Sequence, residues 1–223
     1  MSEKNVRIIE LKKSIYEDND LEAEKLRAEL KASGRFLINL MSSPGSGKTS
    51  SILRIIEGLR WKCRTGVMEA DIDSSVDAEK VAAAGVPAIQ IHTGGMCHLD
   101  AGMTRQGLEN PELSGTDLII LENVGNLVCP AEFDTGASAD VMILSVPEGD
   151  DKPLKYPLMF TKTKLLIVNK IDVLEFFDFD LEALRERVLA LNPDMEIIPV
   201  SAKTGEGFDR VCLWIEKHME ASG

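Results

Sequence analysis

The sequence has no run of lysine and arginine, no long apolar stretch, no internal repeat and no low-complexity segment. Each absence removes a class of function. Acidic residues outnumber basic ones, 37 to 25, for a formal net charge of −12. Without a basic stripe, such a surface repels nucleic acid and anionic membrane alike. No segment approaches the roughly 20 apolar residues of a membrane-spanning helix. The start, Met1 to Lys13, is charged and polar, unlike a secretory leader. A cytoplasmic protein is the expectation. Cysteine is sparse too: Cys63, Cys97, Cys129 and Cys212 lack a disulfide-like spacing. In a reducing compartment they read as thiols or metal ligands rather than bridges.

What is present is an ordinary globular composition, 44% hydrophobic and 28% charged over 223 residues, which suits one large domain with a short extension. From 4 to 33 the chain is charged, with Ile8, Ile9, Leu11, Ile15, Leu21, Leu26 and Leu30 at loosely helical spacing, and Ser33-Gly34 ends it. We expect one or two amphipathic helices here, a helical extension over 1–34 packed outside a main domain over 35–223. In the main domain, short apolar runs without alternation (Phe36–Met41, Thr65–Ala70, Ala88–His92, Asp117–Leu121, Val141–Val146, Leu165–Val168, Ile197–Val200) read as strands covered on both faces. Helical stretches at Thr49–Leu59, Ala78–Ala84, Asp100–Leu108, Leu181–Leu191 and Phe208–Met219 separate most of them. The alternation predicts an α/β fold, a mainly parallel sheet with helices on both faces, binding its ligand beyond the carboxyl ends of the strands.

The chemistry-bearing motifs fall at those ends. Ser42-Ser43-Pro44-Gly45-Ser46-Gly47-Lys48-Thr49 is a phosphate-binding loop in which Ser42 replaces the usual opening glycine. Gly45, Ser46 and Gly47 would turn backbone N–H groups toward phosphate, and the helix beginning near Thr49 and Ser50 would aim its positive end there. Lys48 would reach the β- and γ-phosphates, and the Thr49 hydroxyl would bind Mg²⁺. Asn169-Lys170-Ile171-Asp172 follows an apolar run. It predicts guanine selection: the Asp172 carboxylate accepts from N1–H and the exocyclic amine, a donor pair adenine lacks. The stem of Lys170 would lie on the purine face, and Asn169 would tie this loop to the phosphate loop. Ser201-Ala202-Lys203 would present a backbone N–H to the guanine oxygen. An ATP-using kinase is disfavoured for the same reasons.

Between these motifs, an apolar strand ends in Glu122, with Gly125 three residues on. Glu122 would hold Mg²⁺ through water, and the Gly125 N–H would touch the γ-phosphate. Asn126 stands where Ras-like proteins carry a water-positioning Gln, so hydrolysis should be slow. Asp71 is the candidate to serve the metal or the attacking water in its place, with Asp73 and Asp77 as competitors on the same loop.

Cys97-His98 and Cys129 offer soft and borderline-ion ligands. Their spacing matches no closed zinc finger, which points to an open or shared site that can release its ion. Cys97 is expected to begin a helix, which would lower its thiol pKa. A pair of small buried thiols and a structural imidazole is the competing reading. Cys63, Cys212, His92 and His218 are read as structural.

Residues from about 36 onward resemble the HypB family, GTPases that help insert nickel into [NiFe] hydrogenases. The resemblance rests on 43–49, on Thr93-Gly94 with Cys97-His98-Leu99-Asp100-Ala101, on the segment from Glu122-Asn123-Val124-Gly125 to Cys129-Pro130-Ala131, on Glu148-Gly149-Asp150-Asp151 and on Asn169–Asp172. It implies a GTP-dependent homodimer that binds GTP/GDP and Mg²⁺, and a Ni²⁺ or Zn²⁺ site at Cys97, His98 and Cys129. It also implies hydrogenase-maturation proteins and the hydrogenase large subunit as partners. The N-terminal cysteine motif and the His-rich stretch of some family members are not found in this sequence. Two rivals remain at this stage. A urease-type nickel GTPase would carry a Cys-Pro-His segment, which we do not find. A regulatory GTP-binding module would have no metal duty.

Overall fold

A computed structural model describes residues 11–71 and 76–222, with side chains of 11–15 and 71–79 outside that description. The order is α1 (Leu11–Ala32), β1 (Phe36–Ser42), α2 (Lys48–Leu59), β2 (Thr65–Asp71), α3 (Val76–Ala83), β3 (Ala88–His92), α4 (Ala101–Leu108), β4 (Leu118–Glu122), α5 (Cys129–Glu132), β5 (Ala139–Ser145), α6 (Lys152–Lys155), α7 (Pro157–Lys162), β6 (Leu165–Asn169), α8 (Leu181–Leu191), β7 (Glu196–Pro199) and α9 (Phe208–Ser222). The strands form one seven-stranded sheet, β3-β2-β4-β1-β5-β6-β7, and every pairing is parallel.

The apolar runs explain this layout. β1, β4 and β6 are buried along their whole lengths, so both faces need cover. On one face Ile52, Ile55, Ile56 and Leu59 of α2 meet Val211, Trp214 and Ile215 of α9 over Ile38, Leu40 and Ile120. The opposite face is covered in two patches. Met159 and Phe160 of α7 with Leu184 and Val188 of α8 cover β5 and β6. Leu26 and Leu30 of α1 pack with Leu37, Ile119 and Leu121.

Over the described residues α1 is one long helix, and its apolar face packs on the sheet. Ala23, Leu26 and Leu30 are buried, and Arg105 of α4 pairs with both Glu22 and Glu29. Ile8 and Ile9 lie outside the described residues. Strand and helix bounds agree with the sequence pattern within a few residues. The short helices α5, α6 and α7 were not anticipated, because four to six residues are too few to display a helical period. No helix among the described residues is long and apolar enough to cross a membrane.

Candidate functional site

β1 lies between β4 and β5, so the connections from its neighbours leave in opposite directions at its carboxyl end and open a crevice there. The phosphate loop fills it. Gly45 and Gly47 adopt φ of 77° and 97°, left-handed values that glycine tolerates. Ser42 takes part directly: its Oγ accepts from Lys48 Nζ at 3.0 Å and from Ser46 Oγ at 2.7 Å, while donating to the Ser43 carbonyl. The Ser43 hydroxyl donates to Glu148. Glu148 is itself held by the N–H and hydroxyl of Ser145 at 2.7 Å, so the loop is anchored to the end of β5.

The base-side loops converge on the same point. Asn169 Nδ2 donates to the Ser46 carbonyl at 2.9 Å, and its Oδ1 accepts from the N–H groups of Lys170 and Ala202. Lys170 is the one non-glycine with positive φ among the described residues, at 65°, and its Nζ donates to the Gly45 carbonyl at 2.7 Å. Asp172 Oδ1 accepts from Ser201 Oγ at 2.6 Å, and Lys203 Nζ stands 3.9 Å from Oδ2. Gly47, Ser50, Asn169, Lys170, Asp172, Val173, Ala202 and Lys203 line an open cavity of about 270 Å³. Arg54 of α2 braces its rim by donating to the carbonyls of Ala202 and Lys203. Sequence reasoning missed Arg54, because a lone arginine on a helix resembles a solvated charge.

Glu122 ends β4 as a buried carboxylate, and Glu69 faces it in register from β2, also buried. The only trace of Glu69 in the sequence was an acid inside an apolar run. Gly125 lies against the phosphate loop: a methyl group there would sit 3.2 Å from Pro44 Cγ and 3.4 Å from Lys48 Nζ. Asn123 donates to Asn39 Oδ1 at 3.0 Å, and Asn39 donates to Asp140 Oδ1 at 2.8 Å. The Val124 N–H closes this relay on Asn123 Oδ1. Thr49 lies in the first turn of α2 and Glu122 at the end of β4; both side chains offer oxygen, the donor type Mg²⁺ takes. Asp71 ends β2 opposite His92, and its side chain, that of Asp77 and all of Asp73 lie outside the described residues.

From Gly125 the chain runs on to Cys129, whose thiol lies close enough to that of Cys97 to raise its pKa. Cys97 Sγ is 3.8 Å from His98 Nδ1, and the His98 ring stacks on Phe133 with centroids 3.8 Å apart. The expectation about Cys97 is overturned. α4 begins at Ala101, and Asp100 caps it by accepting from the Met103 N–H. Cys97 therefore lies ahead of the helix rather than in its first turn. The Cys129 thiol beside it and then burial push the Cys97 thiol upward. Burial lowers His98, leaving a neutral ring able to donate a lone pair. Among the described residues of the single chain, no three His, Cys, Asp or Glu side chains close around a point as a complete ion site. Cys212 is buried and pushed up to about 11 by desolvation, and His218 stacks on Trp214, as a structural reading of both requires.

A strand-to-phosphate-loop-to-helix unit at the switch point of a parallel sheet, with an Asn-Lys-x-Asp loop hydrogen-bonded to it, defines a GTP-binding nucleotide hydrolase of the P-loop class. The family model described as "CobW/HypB/UreG, nucleotide-binding domain" matches residues 14–199. Over 211 residues the chain is 47% identical to the hydrogenase maturation factor HypB of Azotobacter vinelandii, covering 95% of this chain and 70% of that one. The crystal structure of HypB from Helicobacter pylori in complex with nickel superposes with a TM-score of 0.85 at 35% identity, over 92% of this chain and 96% of that one. HypB from Archaeoglobus fulgidus gives 0.83 at 38% identity, over 91% and 98%. The chain belongs to the HypB family of hydrogenase maturation factors.

Proposed function

We propose that this chain is a slow GTPase that loads and releases nickel during hydrogenase maturation, dimerising when GTP is bound. One observation carries the reading. The loop from Glu122 to Gly125, seated against Pro44 and Lys48, continues into Cys129, whose thiol meets Cys97 beside His98. A γ-phosphate held by Lys48 and the Gly125 N–H would fix that loop; its loss would free the loop, and one metal ligand with it. The H. pylori relative crystallised with nickel supports nickel over zinc as cargo.

The roles follow from position. Gly45, Ser46 and Gly47 cradle phosphate, Thr49 and Ser50 open the helix behind it, and Lys48 stabilises charge on the transferring group. Thr49 and Glu122, with Asp71, would hold Mg²⁺, which when bound neutralises the β- and γ-phosphate oxygens. Asn169, Lys170, Asp172 and Ser201 to Lys203 form the guanine pocket. Asn126 is one methylene shorter than the Gln of Ras-like proteins, and its Oδ1 already accepts from the Val128 N–H at 2.8 Å; both features support slow turnover. Three soft ligands leave a four-coordinate ion one short, and a two-fold axis through the site supplies the deficit from a second chain. Metal and GTP then strengthen the dimer reciprocally. Maturation proteins and the hydrogenase large subunit are the expected partners, in the cytoplasm.

The test is sedimentation of wild type and Cys129→Ala with GDP or a non-hydrolysable GTP analogue, with and without Ni²⁺. The wild type should dimerise most with analogue plus Ni²⁺. The mutant should lose the Ni²⁺ increment and keep its nucleotide affinity. Unchanged nickel stoichiometry in the mutant would remove Cys129 from the site and the coupling with it.

A further inference from the structure

The two candidate ligand loops belong to different parts of the sheet. Cys97 and His98 precede α4, and Cys129 opens α5. Each hangs from a short element, and α5 is a helix of four residues. What spans them is α1. The Asn19 side chain accepts from the Ala101 N–H through Oδ1 at 2.9 Å and donates through Nδ2 to the Asp134 carbonyl at 2.9 Å. Ala101 is the first residue of α4, just after His98, and Asp134 lies just beyond α5. One amide therefore bridges the two loops. Tyr16, a turn earlier, donates to Glu132 at 2.8 Å and lays its ring 4.9 Å from Phe133, the ring stacked on His98.

These contacts suit a brace and exceed what anchoring α1 requires. Helix α1 is already held by Leu26 and Leu30 in the core and by the Arg105 ion pairs. The Asn19 bonds add no apolar burial; what they fix is the separation of two backbone segments. A metal site assembled from two loops binds tightly only if their spacing is set beforehand, because any spread of geometries is an entropic cost at binding. Groups bonded directly to metal ligands are typically worth 10–100-fold in affinity, and a bridge one step removed, between the backbones that carry the ligands, belongs at the low end of that range.

We propose that Asn19 is a positioning residue for the nickel site, with α1 acting as the strut that sets the distance between the Cys97-His98 loop and Cys129. The proposal rests on the metal reading above. It assigns the N-terminal helix a role in metal affinity and none in nucleotide binding.

The experiment uses the full chain as Asn19→Ala, Asn19→Asp, Tyr16→Phe and Cys97→Ala, each titrated with Ni²⁺ and followed by the thiolate-to-nickel charge-transfer absorption. Analogue affinity and thermal unfolding are measured in parallel. Asn19→Ala should weaken Ni²⁺ binding about tenfold and shift the charge-transfer band, with analogue affinity within twofold of wild type. Asn19→Asp keeps the acceptor for Ala101 and loses the donor to Asp134, so it should fall between. Tyr16→Phe keeps its ring on Phe133 and should lose less than Asn19→Ala. If Asn19→Ala proves too unstable to titrate, the Asp variant, whose bond to Ala101 is intact, decides alone: a loss of threefold or more with an altered band supports the strut. Wild-type Ni²⁺ affinity and band shape in both Asn19 variants would overturn it, provided Cys97→Ala diminishes the absorption, as loss of one of two thiolates requires. Should Cys97→Ala leave the nickel signal unchanged, the metal reading itself fails, and the strut with it.

Discussion

A Cβ on Gly47 would lie 2.5 Å from Asn169 Nδ2. The phosphate loop and the base loop are packed so closely that only glycine fits between them, and Asn169 uses the gap to reach the Ser46 carbonyl. With φ at 97°, alanine at this position also carries a left-handed backbone penalty of about 1–2 kcal/mol. Gly47→Ala should therefore weaken GDP binding at least tenfold and lower the thermal midpoint. Titration with a fluorescent GDP analogue and a melting curve check both. Wild-type nucleotide affinity in this variant would separate the two loops functionally.

The partner that holds Asp172, the proposed reader of guanine, outlasts its replacement. Ser201 Oγ donates to Asp172 Oδ1, and an amide oxygen in Asp172→Asn could accept the same bond, so the loop should keep its shape. What changes is the group offered to the base. A hydrogen bond to a charged partner is worth about 1.5–3 kcal/mol, so GTP affinity should fall some ten- to hundredfold while xanthosine triphosphate, whose C2 oxygen accepts a donor, gains. Competition of the two nucleotides on both proteins measures it. ATP competing equally with GTP on the wild type would contradict the assignment.

The nucleotide loops were legible because their chemistry is short-range and ordered along the chain: each motif ends an apolar run, and parallel topology then gathers the ends. Ligand candidates Cys97, His98 and Cys129 were legible as residue types, and their approach to one another is a tertiary fact. The thiol pKa of Cys97 was misjudged for two reasons: Asp100, three positions later, caps the helix, and Cys129, far off in sequence, lies beside the thiol and raises it. Arg54 and Asn19 left no trace, since a helix pattern records which face is buried and is silent on which polar side chain reaches a backbone group across the fold. Helix α1 was recognised as amphipathic, but its place in the core depends on Leu26 and Leu30 meeting β1 and β4, which no local pattern states.

Gly125 should discriminate GTP from GDP. A methyl group at 3.2 Å from Pro44 Cγ and 3.4 Å from Lys48 Nζ occupies the side of the loop where a γ-phosphate would lie, and leaves the base pocket untouched. Gly125→Ala should bind GDP within about threefold of wild type, bind the non-hydrolysable GTP analogue at least tenfold more weakly, and hydrolyse GTP negligibly, costs of well over 1 kcal/mol in the triphosphate state alone. Equal losses for both nucleotides would show instead that the substitution had collapsed the phosphate loop.

Asp140 should make stability depend on pH in the direction opposite to ordinary acid denaturation. Desolvation pushes its carboxyl up to about 6, aided by the nearby Asp134 charge and opposed by the Asn39 hydrogen bond and by Arg27 and Lys164. The folded state therefore holds a proton that the unfolded chain has released between pH 4 and 6. Stability from this group is fully present below about pH 4 and is lost as pH rises through 6; above that, the ionised carboxylate is a standing cost of about 1–3 kcal/mol. Asp140→Asn removes the titration and can still accept from Asn39. Its stability relative to wild type should be near zero or negative at pH 4.5, rise through pH 6 and level off above pH 7. Urea unfolding of both proteins at pH 4.5, 6 and 7.5 reads the difference and cancels the titration of other carboxylates common to the two. A flat difference across that range would mean that Asp140 stays ionised in the folded protein.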